Sequence, residues 1–331
     1  MKKTVLWIGL AIGLFAVIIL IGILGFHVIS TQESDELALS IVPVTQINYN
    51  NYVCDNQVDF KGNLFAWQES NIFSSKVSLL NDSGEHSVLT GVTAPFQLLE
   101  DRVLFVKEGI LYQRILSTRT DTLIAENVYS FIAMEHTVLY ISEDTLFQYD
   151  LDDGKAKPLG ENAYCFFIHH DQICIAENDG KIMRLESDGT WSLLCSFPIT
   201  SYPFFIMSMG DYIVCEQTNA LLLINTISGV TETVRVSEHN YATNRVAFIC
   251  DNNRLFVSFQ ATKADGSIVF DVAHADNGVW SVDPETKEIR KLCDESFSQL
   301  YLFEGNLLFG VKNNYLYQID IDTGRVTRIS N

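Results

Sequence analysis

Proline and charge are both scarce in this 331-residue chain, which has 6 prolines and only 19% charged residues. Hydrophobic residues make up 47% of it. Disordered chains have the opposite composition, because a segment rich in charge and proline cannot bury enough apolar surface to fold. We therefore expect nearly the whole chain to fold. Single all-β domains can reach this length, so length alone does not indicate two domains.

Positive charge is also in short supply. The chain has 22 Lys and Arg residues against 41 Asp and Glu residues, a formal net charge of −19. An acidic surface repels the phosphates of nucleic acids and the headgroups of anionic lipids. The composition therefore predicts no nucleic-acid partner, and it favours cationic partners or a soluble body held close to a membrane.

Sequence signatures of metal, cofactor and nucleophile chemistry are missing. The seven cysteines form no C-x-x-C pair, and the seven histidines form no H-x-x-x-H or H-E-x-x-H motif. There is also no G-x-S-x-G motif and no glycine-rich phosphate loop. We predict no metal, no cofactor and no catalytic residue that a motif could identify.

The cysteines lie at positions 54, 165, 174, 195, 215, 250 and 293, most of them inside apolar runs. A buried free thiol packs as a small hydrophobic group, and this is the interpretation we favour. The alternative is that some of the cysteines form disulfides in an oxidising compartment. Their odd number leaves at least one thiol without a partner inside a single chain.

One long hydrophobic run lies at the N-terminus. Residues 4–26 are uncharged and mostly apolar, and as a helix they would span about 34 Å, enough to cross a bilayer. A cleaved signal peptide and a buried helix are the alternatives, but a signal peptide has a shorter apolar core. Lys2 and Lys3 precede the run, and acidic residues follow it at 33, 35 and 36. This asymmetry predicts a cytoplasmic N-terminus.

The predicted organisation is therefore that of a single-pass cell-membrane protein. Residues 1–3 are cytoplasmic, residues 4–26 form the transmembrane anchor, and residues 27–40 form a short polar linker. Residues 41–331 then form an ectodomain on the extracytoplasmic side of the membrane.

From residue 51 onward the chain repeats one theme of apolar strands separated by short polar turns. Seven such units end at residues 81, 115, 150, 186, 225, 283 and 320. Most are followed by a turn that opens with Asp or Asn and contains Gly, as at 152–154 and 322–324. Tight hairpins require these residue types, because Gly supplies the positive φ.

Four short antiparallel strands that recur about every 35 to 40 residues are typical of a propeller blade, since one small sheet cannot cover both its faces unless copies flank it. Seven units would close a ring. We predict an all-β fold, a seven-bladed β-propeller of four-stranded antiparallel blades, preceded by one N-terminal transmembrane helix. A β-helix and a pair of β-sandwiches are the rival folds.

Motifs such as LYQID at 316–320, followed by Thr-Gly at 323–324, carry a family resemblance. The repeat resembles that of bacterial propellers built of degenerate tyrosine- and aspartate-bearing repeats, which include membrane-anchored proteins of a domain family without an assigned function. The resemblance covers residues 51–331 and implies a fold rather than an activity. The chain lacks the Trp-Asp dipeptide of WD40 repeats, the double glycine of kelch repeats and the docking tryptophans of quinoprotein blades. No function carries over from those families.

The candidate site comes from irregular connections, because propellers keep their blades regular and extend loops at their rims. The sixth unit carries an insertion at 260–277, the first has a longer connection at 68–75, and long connections at 196–203 and 237–244 enter the fifth and sixth units. All four are predicted on one rim. They gather the acidic, aromatic and histidine residues of a candidate ligand-binding surface: Glu69, Tyr202, His239, Tyr241, Asp265, Asp271, His274 and Asp276.

We interpret the chain as a non-catalytic extracytoplasmic binding or scaffolding propeller that recognises an envelope protein, a peptide or a wall polysaccharide. The alternative is a carbohydrate- or peptide-active enzyme in which Asp265 and Asp271 act as acid and base, which requires two carboxylates about 5 to 10 Å apart. The insertion could also be only a packed hairpin, because residues 267–270 (SIVF) predict an extra strand.

Three other segments are predicted to be structural. Residues 150–154 resemble the start of a calcium loop but lack its later glutamate, so we predict a plain hairpin turn. Residues 169–171 (HHD) are predicted to form the solvated tip of a hairpin. Residues 40–49 lead into the first unit and are a candidate for a further strand that helps to close the ring.

Overall fold

A computed structural model of the chain describes residues 48–52, 57–70, 75–81, 85–197, 205–217, 220–236, 245–260, 276–304 and 306–329. In these residues a short 3-10 turn, Tyr49–Tyr52, precedes 28 strands, which form seven antiparallel sheets of four strands. Each sheet takes its four strands from one continuous piece of chain. The predicted seven-bladed β-propeller is confirmed.

The blades are numbered in chain order, and the first strand of each is the innermost. The strands of blades 1 to 4 are β1 (Val58–Lys61), β2 (Leu64–Ser70), β3 (Ser75–Asn81), β4 (His86–Thr90), β5 (Phe96–Leu98), β6 (Arg102–Lys107), β7 (Ile110–Ile115), β8 (Thr120–Ala125), β9 (Val128–Met134), β10 (Thr137–Ser142), β11 (Thr145–Asp150), β12 (Ala156–Gly160), β13 (Ala163–His169), β14 (Gln172–Glu177), β15 (Lys181–Leu185) and β16 (Trp191–Ser196). The strands of blades 5 to 7 are β17 (Ile206–Met209), β18 (Tyr212–Gln217), β19 (Ala220–Asn225), β20 (Thr231–Val234), β21 (Arg245–Cys250), β22 (Leu255–Gln260), β23 (Gly278–Val282), β24 (Ile289–Cys293), β25 (Gln299–Phe303), β26 (Leu307–Lys312), β27 (Tyr315–Asp320) and β28 (Val326–Arg328).

The inner strands bury both of their faces because each lies between two neighbouring sheets. Successive side chains of a strand point to opposite faces. In β10, Val138 and Tyr140 pack in the cluster shared with blade 2, whereas Leu139 and Ile141 pack in the cluster shared with blade 4. The outermost strands are mostly exposed, as the burial of β8 shows. The core is therefore a series of apolar layers between blades.

Blades 1 and 7 meet through aromatic side chains, and among the described residues each of the two sheets takes all its strands from its own piece of chain. The Phe60 ring lies 4.8 Å from that of Phe303 and 5.7 Å from that of Phe309, and Phe65 stacks on Phe309 at 5.7 Å. Buried aromatic pairs of this kind add stability beyond the area they bury. Of the segment predicted to add a ring-closing strand, Tyr49 begins the 3-10 turn instead, and residues 40–47 lie outside the described residues.

The turn between the third and fourth strands of a blade is held by a side chain. Asp150 Oδ1 accepts hydrogen bonds from the backbone N–H groups of Asp152 at 2.8 Å and Asp153 at 3.0 Å. The same arrangement recurs at Asn225, Asp283 and Asp320. The predicted hairpin turn at 150–154 is confirmed, and the backbone N–H of Gly154 closes it by donating to the Asp150 carbonyl oxygen at 3.0 Å.

Six cysteines of the described chain, at 165, 174, 195, 215, 250 and 293, are unpaired. Cys174 and Cys215 are buried in the apolar layer between blades 4 and 5. Burial raises the pKa of the Cys174 thiol to about 12, so it is protonated at neutral pH. These cysteines pack as small hydrophobic groups, as predicted. Cys54 lies outside the described residues.

No helix among the described residues is long and apolar enough to cross a membrane. The anchor at 4–26, the linker at 27–40 and the residues before them lie outside the described part of the chain.

Gly324 and Gly229 provide a matched test of how blade 7 packs against blade 6. Both occupy the same turn position with φ of 72°, but a Cβ at 324 would lie 2.0 Å from the Leu292 carbonyl oxygen, whereas a Cβ at 229 would meet nothing within 4 Å. We predict that Gly229→Ala lowers the free energy of unfolding by about 1 kcal/mol from backbone strain alone. Gly324→Ala should cost about 1 to 3 kcal/mol more. Equal losses in urea denaturation would contradict this packing.

Candidate functional site

The propeller has two faces, which we name by what each carries. The insertion face carries the connections between second and third strands and the links between blades. The clasp face carries the turns between first and second strands and between third and fourth strands. The blade 6 insertion begins where the sequence predicted it, since β22 ends at Gln260 and β23 begins at Gly278.

Most of the predicted binding surface on the insertion face lies outside the described residues: Tyr202, His239, Tyr241, Asp265, Asp271 and His274. Glu69 lies in β2, where its backbone is opposite that of Lys76 in β3. Asp276 precedes β23, and its carbonyl oxygen accepts a hydrogen bond from the indole N–H of Trp280 at 3.0 Å. The grouping of the eight residues stays a prediction, and so does the extra strand at 267–270.

The clasp face is centred on residues 48–52, which we call the clasp. The side-chain amide of Asn50 donates hydrogen bonds to the carbonyl oxygens of Ser208 in blade 5, at 2.7 Å, and Cys250 in blade 6, at 2.8 Å. Asn51 exchanges two hydrogen bonds with the backbone of Leu302 in blade 7, at 2.8 and 2.9 Å. Buried backbone groups need such partners. The clasp therefore ties three blades together at their inner strands.

The last clasp residue is attached to blades 1 and 2 through a buried carboxylate. The Tyr52 hydroxyl donates to Asp59 at 2.6 Å, and the backbone N–H groups of Phe60 and Leu98 donate to the same carboxylate at 2.8 and 2.5 Å. Burial raises the pKa of Asp59 to about 7, although these three hydrogen bonds favour the ionised form. The clasp thus spans the ring from blade 1 to blade 7.

A cavity of about 630 Å³ lies beside the clasp. Asn48, Tyr49 and Asn50 line it from the clasp, and residues of blades 4 to 7 line the rest. A second depression of about 370 Å³ lies next to it, between blades 3 and 4. Tyr49 and Asp171 line both, so they stand where the two spaces meet.

Two pairs of polar side chains lie at the cavity. His170 Nε2 lies 3.3 Å from an oxygen of Asp211. Arg254, in the cavity lining, pairs with Asp251 and also donates to Asn306. Asp171 and Glu304 add two further carboxylates to the lining. The cavity is therefore polar, with more carboxylates than cationic groups.

His169 is an exception to the predicted solvated hairpin tip. Residues 170 and 171 do form the two-residue turn, with φ of 48° and 58°, but His169 is the last residue of β13 and is only 2% exposed. Its Nδ1 lies 2.8 Å from the Ser208 hydroxyl oxygen and its Nε2 lies 3.3 Å from that of Thr226. The prediction of a solvated histidine at this position is wrong, because the strand carries His169 under the neighbouring blade.

The hydrogen bonds around His169 assign its tautomer. The Thr226 hydroxyl donates its proton to the carbonyl oxygen of Asp211 at 3.0 Å, so its oxygen accepts from His169 Nε2–H. Nδ1 of the neutral ring is then an acceptor, and it receives the proton of Ser208. Burial lowers the pKa of His169 to about 4, so the imidazole is neutral at physiological pH.

This serine–histidine pair lacks the third member of a catalytic triad. In a triad, a carboxylate binds the second ring nitrogen and stabilises the imidazolium that forms when the histidine takes the serine proton. Here a threonine hydroxyl occupies that position. The arrangement holds Ser208 in one orientation and does not favour proton transfer to the ring.

Metal binding has no support from the described residues, in which no group of three or more His, Cys, Asp or Glu side chains is placed to hold an ion.

The cavity beside the clasp was not predicted from the sequence. The sequence nevertheless contains a signal for it, because the NYNNY run at 48–52 places three asparagines immediately before the first blade. Side-chain amides in a chain of apolar strands are suited to satisfying backbone groups at the end of a sheet.

No family model and no curated protein matches the chain. Solved structures do resemble it. The β-propeller domain of the Trilobed protease from Pyrococcus furiosus, which has an open velcro topology, is 13% identical with a TM-score of 0.55 over 85% of this chain and 98% of that one. The acylaminoacyl peptidase of Pyrococcus horikoshii is 12% identical with a TM-score of 0.55, over 86% of this chain and 53% of that one.

A third similar structure is PorZ, a bacterial surface component of the type-IX secretion system of Porphyromonas gingivalis. It is 9% identical with a TM-score of 0.53, over 88% of this chain and 39% of PorZ. Identities this low show the fold alone. The chain is a β-propeller, and the similar structures include both enzymes and a surface component, so its function has to be argued from its site.

Asp59 should make the stability of the ring depend on pH. Its folded pKa of about 7 lies above the value of about 3.9 in an unfolded chain. Its stabilising contribution is therefore complete below about pH 4 and is lost as the pH rises through about 7. We predict that the stability of the protein relative to an Asp59→Asn variant falls by up to about 1.4 kcal/mol per pH unit in this window.

Urea denaturation of both proteins between pH 4 and pH 8 measures this difference. Asp101→Asn serves as the control, because the neighbouring Arg102 lowers the pKa of Asp101. This carboxyl is therefore ionised in both the folded and the unfolded chain over nearly all of the window, and its difference from the unaltered protein should stay nearly constant. A difference between the protein and Asp59→Asn that stays constant over the window would contradict the assignment.

Proposed function

We propose that the chain is a non-catalytic binding or scaffolding propeller, tethered by its N-terminal helix to the outer side of the cytoplasmic membrane, that recognises an envelope protein, a peptide or a wall polymer. The observation that carries this proposal is the polar cavity beside the clasp. Binding sites are usually concave and largely preformed, with a few placed polar groups. A cavity of about 630 Å³ bounded by four blades and the clasp meets that description.

The rigidity of the walls supports binding. Asn50 fixes Ser208 twice, because its amide nitrogen donates to the Ser208 carbonyl and its oxygen accepts from the Ser208 N–H at 3.0 Å. Groups that are already held in place lose little entropy when a ligand arrives. The lining of blade 5 therefore has the preorganisation expected of a recognition site.

The chemistry of the cavity favours recognition over catalysis. The ring nitrogens of His169 contact the hydroxyl groups of Ser208 and Thr226, so no carboxylate is placed to stabilise an imidazolium. The alternative, an enzyme that uses Asp265 and Asp271, has no support from any described residue.

The proposed membrane tether accounts for the location of the propeller. The net charge of −19 suits a body that stands off an anionic membrane surface, and residues 4–26 are long and apolar enough to anchor it. We propose that the partner is reached on the extracytoplasmic side.

A pull-down with the full chain from solubilised host membranes tests the function. Asn252 is an exposed residue of the cavity lining, so Asn252→Trp should fill the space and reduce capture of the partner at least about tenfold. Glu161→Trp, at an exposed position on the insertion face, is the matched control and should leave capture unchanged. Removal of residues 1–26 should move the protein from the membrane to the soluble fraction.

Deletion of 260–277 distinguishes the two faces. Loss of the partner with Asn252→Trp and not with the deletion would support the cavity, whereas the reverse would place recognition on the insertion face. If capture of every partner survives both Asn252→Trp and the deletion of 260–277, the proposed binding function is wrong. If the chain without residues 1–26 stays with the membrane, the proposed tether is wrong.

A further inference from the structure

We propose that the turn between the third and fourth strands of blade 5, residues 225–230, inserts into the interface of the lipid bilayer and holds that edge of the clasp face against the membrane. This inference rests on the membrane tether of the proposed function and adds a second contact with the same membrane. It follows from two exposed aliphatic side chains, Ile227 and Val230, at positions that carry charge in the equivalent turns of other blades.

The turns of blades 3, 5, 6 and 7 share one geometry, so their positions can be compared directly. In each, the side chain that opens the turn accepts a hydrogen bond from the backbone N–H two positions later. The residue at that later position is Asp152 in blade 3, Glu285 in blade 6, Asp322 in blade 7 and Ile227 in blade 5. Ile227 is 77% exposed. An aliphatic side chain therefore meets solvent where the other three turns have a carboxylate.

A second position of the turn shows the same difference. The carbonyl oxygen five positions after the opening residue accepts a hydrogen bond from the N–H of that residue, at 2.9 Å in blades 3, 5 and 7 and at 3.0 Å in blade 6. The residue there is Lys155 in blade 3, Glu288 in blade 6, Arg325 in blade 7 and Val230 in blade 5. Val230 is 53% exposed. The blade 5 turn thus presents two aliphatic side chains and has no charged residue between 225 and 230.

An exposed aliphatic pair of this kind suits insertion into lipid better than docking to a protein. Protein interfaces depend mainly on Trp, Tyr and Arg anchors set in pockets, and valine is under-represented among their dominant residues. Removal of aliphatic surface from water is favourable whatever apolar medium receives it. The acyl chains at a membrane surface receive it without a shaped partner surface. We therefore assign the turn to a lipid surface.

The point where the chain enters the propeller supports this assignment. Asn48 is the first described residue and belongs to the clasp, and the blade 5 turn lies on the same face. The proposed anchor ends at residue 26, and the 21 residues 27–47 can reach at most about 75 Å in any conformation. A contact between the turn and the same membrane is then intramolecular. Such a contact needs far less free energy than one formed from solution.

The acidic composition limits how far the contact extends. The formal net charge is −19, so anionic headgroups repel most of the surface. The blade 3 turn, with Asp152 and Asp153, shares that repulsion, whereas the blade 5 turn does not. Contact should be confined to the blade 5 turn, which leaves the cavity of the same face open to a partner. It should also be weaker on anionic than on zwitterionic membranes, and salt should reduce that difference.

The test is tryptophan fluorescence of the full chain reconstituted into phosphatidylcholine vesicles with and without brominated acyl chains, which quench only tryptophans that reach them. Ser228→Trp places the probe between Ile227 and Val230 and leaves both unchanged. Asp153→Trp is the matched control, because the N–H groups of Ser228 and Asp153 both donate to the side chain that opens their turn. The emission of the unaltered protein, which has 4 tryptophans, is subtracted from both.

Brominated lipid should quench the probe in Ser228→Trp and leave that in Asp153→Trp unquenched. Adding Ile227→Asp and Val230→Lys gives the blade 5 turn the residues that the same turn accommodates in blade 3. These two changes should lower the equilibrium constant of the contact at least about tenfold, since the aliphatic side chains no longer leave water. Replacing part of the lipid with anionic phosphatidylglycerol should reduce the quenching of Ser228→Trp, and added salt should restore it.

Equal quenching of Ser228→Trp and Asp153→Trp, or quenching that survives Ile227→Asp with Val230→Lys, would overturn the inference. If those two changes abolish capture of the partner in the pull-down while Ser228→Trp is not quenched, the turn belongs to a protein interface instead. Flotation of the vesicles separates this failure from failure of the tether. A full chain that does not float with the vesicles contradicts the tether and the contact together, whereas one that floats without quenching contradicts the contact alone.

Discussion

A ring of sheets is stable only if its first and last blades pack against each other. In this protein the buried side-chain amides of the clasp connect the blades at the centre of the ring. Asn50 and Asn51 are 5% and 1% exposed, and their side chains bind backbone groups of blades 5, 6 and 7. A buried polar group left without a partner costs about 1 to 3 kcal/mol. Because the amides and the strand ends satisfy each other, the clasp and the inner strands depend on one another.

The same constraint produces the cavity. The inner strands leave space at their clasp-face ends, and the clasp fills only part of that space. Asn48, Tyr49 and Asn50 line what remains, so the groups that hold the blades together also shape the site. Ser208 shows the coupling most clearly, because Asn50 binds both its N–H and its carbonyl group while His169 fixes its hydroxyl. A change in the clasp should therefore alter the site and the stability of the ring together.

The repeat was predictable from the sequence because it depends on patterns of residues that lie close together in the chain. Strand ends at Asn81, Asp150 and Asn225 agree with the unit ends found in the sequence, since alternating apolar residues and Asp-Gly turns determine structure over a few positions. The start of the insertion after Gln260 was equally visible, as a break in that rhythm. These features need no information about which residues meet across the ring.

The clasp and its cavity were not predictable in the same way. Asn51 binds Leu302, which lies 251 positions further along the chain, and no local pattern encodes such a pairing. The solvent exposure of His169 was predicted wrongly for a related reason. Its position at the end of a hairpin suggests solvent exposure, but the twist of the ring brings Ser208 and Thr226 of the next blade over it. Contacts between blades decide these environments, and they follow from ring closure rather than from sequence distance.

Hydrogen exchange of the double variant Asn50→Ala/Asn51→Ala tests most directly whether the clasp holds the ring. If it does, the backbone amides of β17 and β25 should exchange faster than in the unaltered protein, because Ser208 and Leu302 lose partners to which they are bonded. Amides of β10 and β11, which pair within blade 3, should keep their protection. Unchanged exchange at Ser208 and Leu302 would contradict the account.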